Sequence, residues 1–141
     1  MANRPLIPPK LATYGSSAIL TLLTLAVFAY SKDQGPESAV RRYHVAVSDG
    51  DRSAAKALES GSGAYSDQMA GYVRTLLANS ESVSLGRIRP DGRKATVDVI
   101  YRLSRGRGIV AVRYVVVKPD LKWRVDLDET VSLLNRMNRF E

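Results

Sequence analysis

Between Leu11 and Tyr30 the chain runs for 20 residues without a charged side chain. At ~1.5 Å of rise per residue, a helix over this stretch is ~30 Å long, the thickness of a bilayer's hydrocarbon core. The run predicts a membrane-spanning helix over 11–30, with a proline-containing tail at 1–10 ahead of it and a short polar linker at 31–35 behind it. The prolines of Arg4-Pro5-Leu6-Ile7-Pro8-Pro9 keep the tail from being helical, and we expect a neighbouring molecule to hold it. A cleaved signal peptide is the rival reading, with Val27-Phe28-Ala29 as the cleavage site. The apolar core of such a peptide is ~7–15 residues long, shorter than this run, so a retained anchor is expected.

Orientation is nearly balanced by charge. Arg4 and Lys10 precede the run, and Lys32, Arg41 and Arg42 come after it. A short tail ahead of one span is the layout of an uncleaved signal anchor. On that layout the chain is a single-pass protein of a bacterial inner membrane, with its C-terminal domain on the periplasmic side. Within the span, Thr13, Ser17, Thr21 and Thr24 share one helical face, and Ala12 and Ser16 add a small-xxx-small pair beside it. Small and hydroxylated residues let helices approach closely in lipid. The stripe therefore reads either as a packing face for a partner helix or as hydroxyls bonded to their own helix. Tyr14 and Tyr30 stand near the two ends, as interfacial aromatics do.

Beyond the span the chain continues for about 110 residues, enough for one domain. The chain has no cysteine, which excludes disulfides, thiolate metal sites and lipoprotein acylation. Its net charge is +7. The basic residues are interleaved with acids, so no nucleic-acid partner is expected; anionic lipid and acidic protein surfaces remain candidates.

The apolar period then places the elements. Pro36 and Glu37 suit the first turn of a helix whose inner face is Ala39, Val40, Tyr43, Ala46 and Val47. Asp49-Gly50 ends it, and Asp51 caps a second helix over 52–58. Gly61-Ser62-Gly63 breaks that one, and a third helix covers about 66–77 with Met69, Tyr72, Val73, Leu76 and Leu77 inward. From Val83 the period falls to 2. Strands are predicted around Val83, Leu85 and Ile88, over 94–103, over 109–117 and over 122–127. The turns between them are Arg89-Pro90-Asp91-Gly92, the 104–108 segment and Lys118-Pro119-Asp120-Leu121. A last helix at 129–141 presents Val131, Leu134, Met137 and Phe140. The pattern is α+β: three helices, then an antiparallel meander covered on one face, then a short C-terminal helix.

Three stretches carry a family resemblance. Pro36-Glu37-Ser38-Ala39-Val40-Arg41-Arg42-Tyr43, then Ser48-Asp49-Gly50-Asp51, then Ala54-Ala55-Lys56-Ala57-Leu58, resemble the first two helices of NTF2-like (cystatin-like, SnoaL-type) domains. The late hairpins and Trp123-x-Val125 are similar to that family's closing strands. The resemblance covers about residues 36–127, which sets the domain at 36–128, and implies a strongly curved sheet wrapped against helices as a cone. Family members include enzymes, transport adaptors and membrane-anchored assembly subunits, so the resemblance leaves function open.

Enzymes of the family place an Asp/His or Asp/Tyr pair inside the cone. The one histidine, His44, is expected to be a solvated helix residue. Asp98 is expected in an exposed cross-strand charge pair. Asp126 and Asp128 alternate near the end of the last strand and form only a weak cation motif. No phosphate loop, zinc pattern or nucleophile elbow is present, so neither catalytic residue, metal nor cofactor is expected. Arg102, Arg105 and Arg107 cluster at one hairpin and read as a solvated turn or as a docking patch. The 109–117 strand is apolar on both faces, with Val110, Val112 and Tyr114 on one of them. Both faces need cover: helices can cover one, and the other needs the C-terminal helix, a second copy or another subunit, with Val110, Val112 and Tyr114 as candidate docking residues, unless this chain covers both. The expected function is a non-catalytic accessory or scaffold subunit of an inner-membrane complex, bioenergetic (photosynthetic or respiratory), whose partners are integral membrane subunits and the lipid bilayer. The alternatives are a type IV-like secretion assembly subunit and a membrane-tethered SnoaL-like small-molecule binder.

Overall fold

A glycine N-cap, Gly35, and a proline in the first turn open the first described helix. The computed structural model describes residues 35–139, which lie in one compact unit running from Gln34 to the C-terminus. The predicted tail, span and stripe residues, and Phe140, fall outside the described residues. Among the described residues no helix is long and apolar enough to cross a membrane.

Helix α1 (Pro36–Ser48) buries Ala39, Val40, Tyr43, Ala46 and Val47, one stripe at helical spacing. It stops at Asp49, and Gly50 takes a left-handed φ of 71°. The Asp51 carboxylate accepts from Ala54 N and caps α2 (Arg52–Ala57). Strand β1 (Glu59–Ser60) comes next, then α3 (Ser66–Asn79), which buries Met69, Val73 and Leu76. Strands β2 (Ser80–Asp91), β3 (Lys94–Leu103) and β4 (Ile109–Val117) form an antiparallel meander, and β5 (Arg124–Asp126) leads into α4 (Leu127–Met137).

The sheet order is β1-β5-β4-β3-β2. Its β1–β5 pairing is parallel, so the sheet is mixed rather than wholly antiparallel. Sequence periodicity cannot reveal a two-residue strand, and Glu59-Ser60 has no apolar alternation to signal one. Two register shifts in β2, between Ser80 and Ser82 and between Leu85 and Ile88, mark bulges that bend the sheet. Gly86 lies in the second, where a Cβ would stand 3.3 Å from Asp98 Cβ.

The strict alternation read over β3 holds: Ala95, Val97, Val99 and Tyr101 are buried. With Val112, Tyr114, Val116 and Val125 they make the inner face, and α1 and α3 close over it with Val40, Tyr43, Met69 and Val73. Each such side chain contributes about 1.5–3 kcal/mol of burial. The last strand is shorter than expected, and Trp123 lies ahead of it. The final helix starts at Leu127, two residues earlier than expected, because the Asp126 side chain caps it at Glu129 N. Thr130 Oγ1 completes the handover: it donates to Asp126 O and accepts from Val115 N, the residue that faces Asp126 where the β4–β5 ladder ends.

Candidate functional site

The inner face carries one polar knot. Tyr101 and Tyr114 point inward from β3 and β4, and α1 brings His44 against both. Tyr101 Oη is 2.7 Å from His44 Nε2 and 2.7 Å from Tyr114 Oη, and Tyr114 Oη is 3.1 Å from the same nitrogen. The imidazole meets both rings edge-on, with centroids 5.7 and 5.4 Å away. His44 is therefore not the solvated helix residue that its sequence position suggested. Sequence reasoning missed it because it flanks the apolar stripe of α1, and its partners arrive from strands far along the chain.

Burial sets the electrostatics of this knot. Desolvation pushes the His44 pKa down to about 4, so the imidazole is neutral at neutral pH. Desolvation also raises Tyr101 and Tyr114 above the ordinary phenol value, and Tyr72 nearby adds to both shifts. Tyr43 is raised too, by burial first and then by the charge of Glu59. Tyr43 Oη and Glu59 Oε1 are buried without a protein hydrogen-bond partner. The knot is therefore uncharged across the neutral range.

Beside the knot, between α3 and α4, lies an open groove of about 440 Å³. Met69, Tyr72, Val110, Val131, Leu134 and Met137 line it, together with Ala111 and three neutral amides. Of the docking residues expected from sequence, Val110 lines this groove. Val112 (1 % exposed) and Tyr114 (0 %) do not serve: the chain's own helices cover that face, which is the apolar cover the strand required. On the outer face Ile109 and Ala111 remain exposed.

Arg102 and Arg105 are exposed at the β3–β4 hairpin, as expected for a turn. Arg105 adopts a left-handed φ of 60°. Arg107 folds back, donating to Ser104 O and to Asn79 Oδ1 at the end of α3. Asp98 faces Arg113 directly across the strands, with Arg113 Nε 2.6 Å from Asp98 Oδ1: the expected cross-strand pair, but half-buried rather than exposed. The acids Asp126 and Asp128 have separate structural work: the first caps α4, and the second accepts from Ser62 N and Oγ. No cluster of His, Cys, Asp and Glu able to hold a metal occurs among the described residues.

No protein-family model matches the sequence, and no curated protein matches it. Solved structures do. A protein from Campylobacter jejuni, described as a candidate NTF2-like transpeptidase, aligns with a TM-score of 0.53 at 16 % identity, over 67 % of this chain and 99 % of its own. A de novo designed protein with a curved β-sheet aligns with a TM-score of 0.43 at 16 % identity, over 71 % of this chain and 94 % of its own. The first likeness, with the bulged sheet wrapped over α1 and α3, defines the class: an α+β domain of NTF2-like fold. At that identity it is a likeness of fold and carries no activity to this chain.

Proposed function

We propose that this chain is a non-catalytic, membrane-tethered accessory subunit of a bacterial inner-membrane complex, anchored by residues 11–30 and binding partners through a periplasmic NTF2-like domain. The observation that carries the reading is the filled inner face. Where an enzyme of this fold would keep an open cavity with a poised acid or base, Val97, Val99, Tyr101, Val112 and Tyr114 pack solidly. The His44, Tyr101 and Tyr114 side chains there are bonded to one another. A domain closed on its inside acts through its outside. The groove between α3 and α4 and the exposed Arg102 and Arg105 are the surfaces it offers to a protein partner.

The test is extraction followed by mild-detergent purification. Alkaline carbonate should leave the full chain in the membrane pellet, and purification should recover it within a large assembly of integral membrane subunits. Release into the supernatant, or a clean monomer, overturns the reading. A homo-oligomer without other subunits would point instead to a secretion-type assembly factor. The groove also supports a second reading, since its volume lies within the roughly 300–1,000 Å³ of small-molecule sites. A small apolar compound that copurifies with the chain would favour a tethered ligand carrier.

A further inference from the structure

The end of the sheet opposite the arginine hairpin is built from two turns. One joins β2 to β3 at Gly92-Arg93, and the other joins β4 to β5 over residues 118–123. Lys118 N donates to Arg93 O over 2.8 Å and ties them together. Asp120 fixes the second turn: Oδ1 accepts from Lys122 N over 2.8 Å and Oδ2 from Arg124 over 3.0 Å. The turn so held carries Leu121 at its crest, 90 % exposed. No other large apolar side chain among the described residues is as open to solvent.

Charge at this end is one-sided. Lys94 pairs with Glu129 and Arg124 with Asp120, and Arg89 lies 3.9 Å from Asp98. Arg93 and Lys122 are exposed and form no ion pair among the described residues; the Lys118 ammonium sits 5.8 Å from the centre of the Trp123 ring. The acid left over in the two turns is Asp91. A leucine between cations, two residues from a half-buried tryptophan, matches the layering of a bilayer surface. The apolar tip enters the headgroup layer, the ammonium groups stay among the phosphates and the indole lies at the boundary. A protein partner would call for a broader apolar surface than one leucine provides.

We infer that the 118–123 turn, with Leu121 at its crest and Arg93, Lys118 and Lys122 around it, docks on anionic phospholipid headgroups. The inference rests on the proposed membrane anchor for the presence of a bilayer beside the domain; the contact itself rests on these residues. Docking would fix the domain's face toward the membrane and turn the groove between α3 and α4 toward its partner in one orientation.

Trp123 is the chain's only tryptophan, so its emission reports on this turn. The full chain is reconstituted into vesicles of phosphatidylcholine alone or mixed with phosphatidylglycerol. Anionic vesicles should shift the emission to the blue and lower acrylamide quenching roughly two-fold. They should also bring quenching by lipids brominated on the acyl chain, and added salt should reverse these changes. Leu121→Ser, or Arg93→Glu with Lys122→Glu, should restore the behaviour seen in phosphatidylcholine. Arg105→Glu at the other end of the sheet should not. Equal acrylamide quenching in both vesicle types overturns the inference, as does shielding that appears only when an acidic protein is added. Carbonate extraction of the same samples separates the two ideas. A pelleted chain with an unshielded Trp123 sinks the docking turn and leaves the anchor standing; a released chain whose Trp123 still responds to added anionic vesicles does the reverse.

Discussion

Tyr101 Oη stands 2.7 Å from His44 Nε2, a contact between sheet and helix across 57 positions of sequence. It fixes how α1 lies on the inner face, because the ring can meet Tyr101 and Tyr114 together only in one placement. A valine at position 44 would pack there but would leave two buried hydroxyls with fewer partners, a loss of about 1–3 kcal/mol.

Acid should loosen the domain through that ring. An unfolded chain protonates His44 near its ordinary pKa of 6.5, whereas the folded one resists until about 4. Between those values the unfolded state binds the extra proton, so stability is intact above 6.5 and falls as pH drops toward 4. The loss approaches about 3 kcal/mol at the lower end. Urea unfolding at neutral pH and just above 4 should show the midpoint fall, and His44→Gln should remove most of that dependence. A His44→Gln protein that keeps the full drop would place the proton uptake elsewhere.

Two tyrosine-to-phenylalanine changes should differ in outcome. Tyr114→Phe removes a hydroxyl bonded to Tyr101 and near His44, and should cost about 1–2 kcal/mol. Tyr43→Phe removes a buried hydroxyl with no protein partner and should be neutral or stabilising by up to about 1 kcal/mol. Equal losses in thermal or urea unfolding would mean that the Tyr43 hydroxyl is bonded after all.

Gly61 and Asp128 should behave as a coupled pair. Gly61 has φ +108°, and a Cβ there would lie 2.7 Å from Asp128 Oδ2, the atom that accepts from Ser62 N. Gly61→Ala should cost about 1–3 kcal/mol through backbone strain and the clash. Asp128→Ala should cost about 1 kcal/mol. The double variant should lose less than the sum of the two, since removing the carboxylate relieves the clash. Strict additivity in unfolding free energies would show that the carboxylate is not what the new methyl group meets.

Ser17→Leu with Thr21→Leu tests the stripe in the predicted span. Retention of the chain in a detergent-purified assembly should fall if those hydroxyls face a partner helix. Unchanged retention would return them to bonding within their own helix.

Helix stripes and strand alternation were legible from sequence wherever one face is wet. The faces of α1, α3 and β3 come directly from the spacing of Ala39 to Val47, Met69 to Leu76, and Ala95 to Tyr101, except that Tyr72, expected inward on α3, is 41 % exposed at the groove. The Asp51 cap and the turn at Gly92 were equally readable, because their chemistry is local. The features that escaped are non-local. Val112 and Tyr114 looked like a surface awaiting a partner, since periodicity shows that a face needs cover but not who provides it. His44 looked solvated because its partners lie on two later strands. Glu59-Ser60 carries no strand signal, and its pairing comes from the last strand rather than from its neighbours.

That two-residue β1 has a temporal consequence. Glu59 pairs with Val125, and the nearby Ser62 is clamped by Asp128, 66 positions downstream. A nascent chain therefore cannot lock the segment after α2 until residues 125–128 have left the ribosome. Closing so long a loop is slow compared with forming helices. Truncation ahead of Arg124 would leave helices and meander synthesised but unlatched, exposing Leu58 and the edge of β4 to proteases and to other half-made chains.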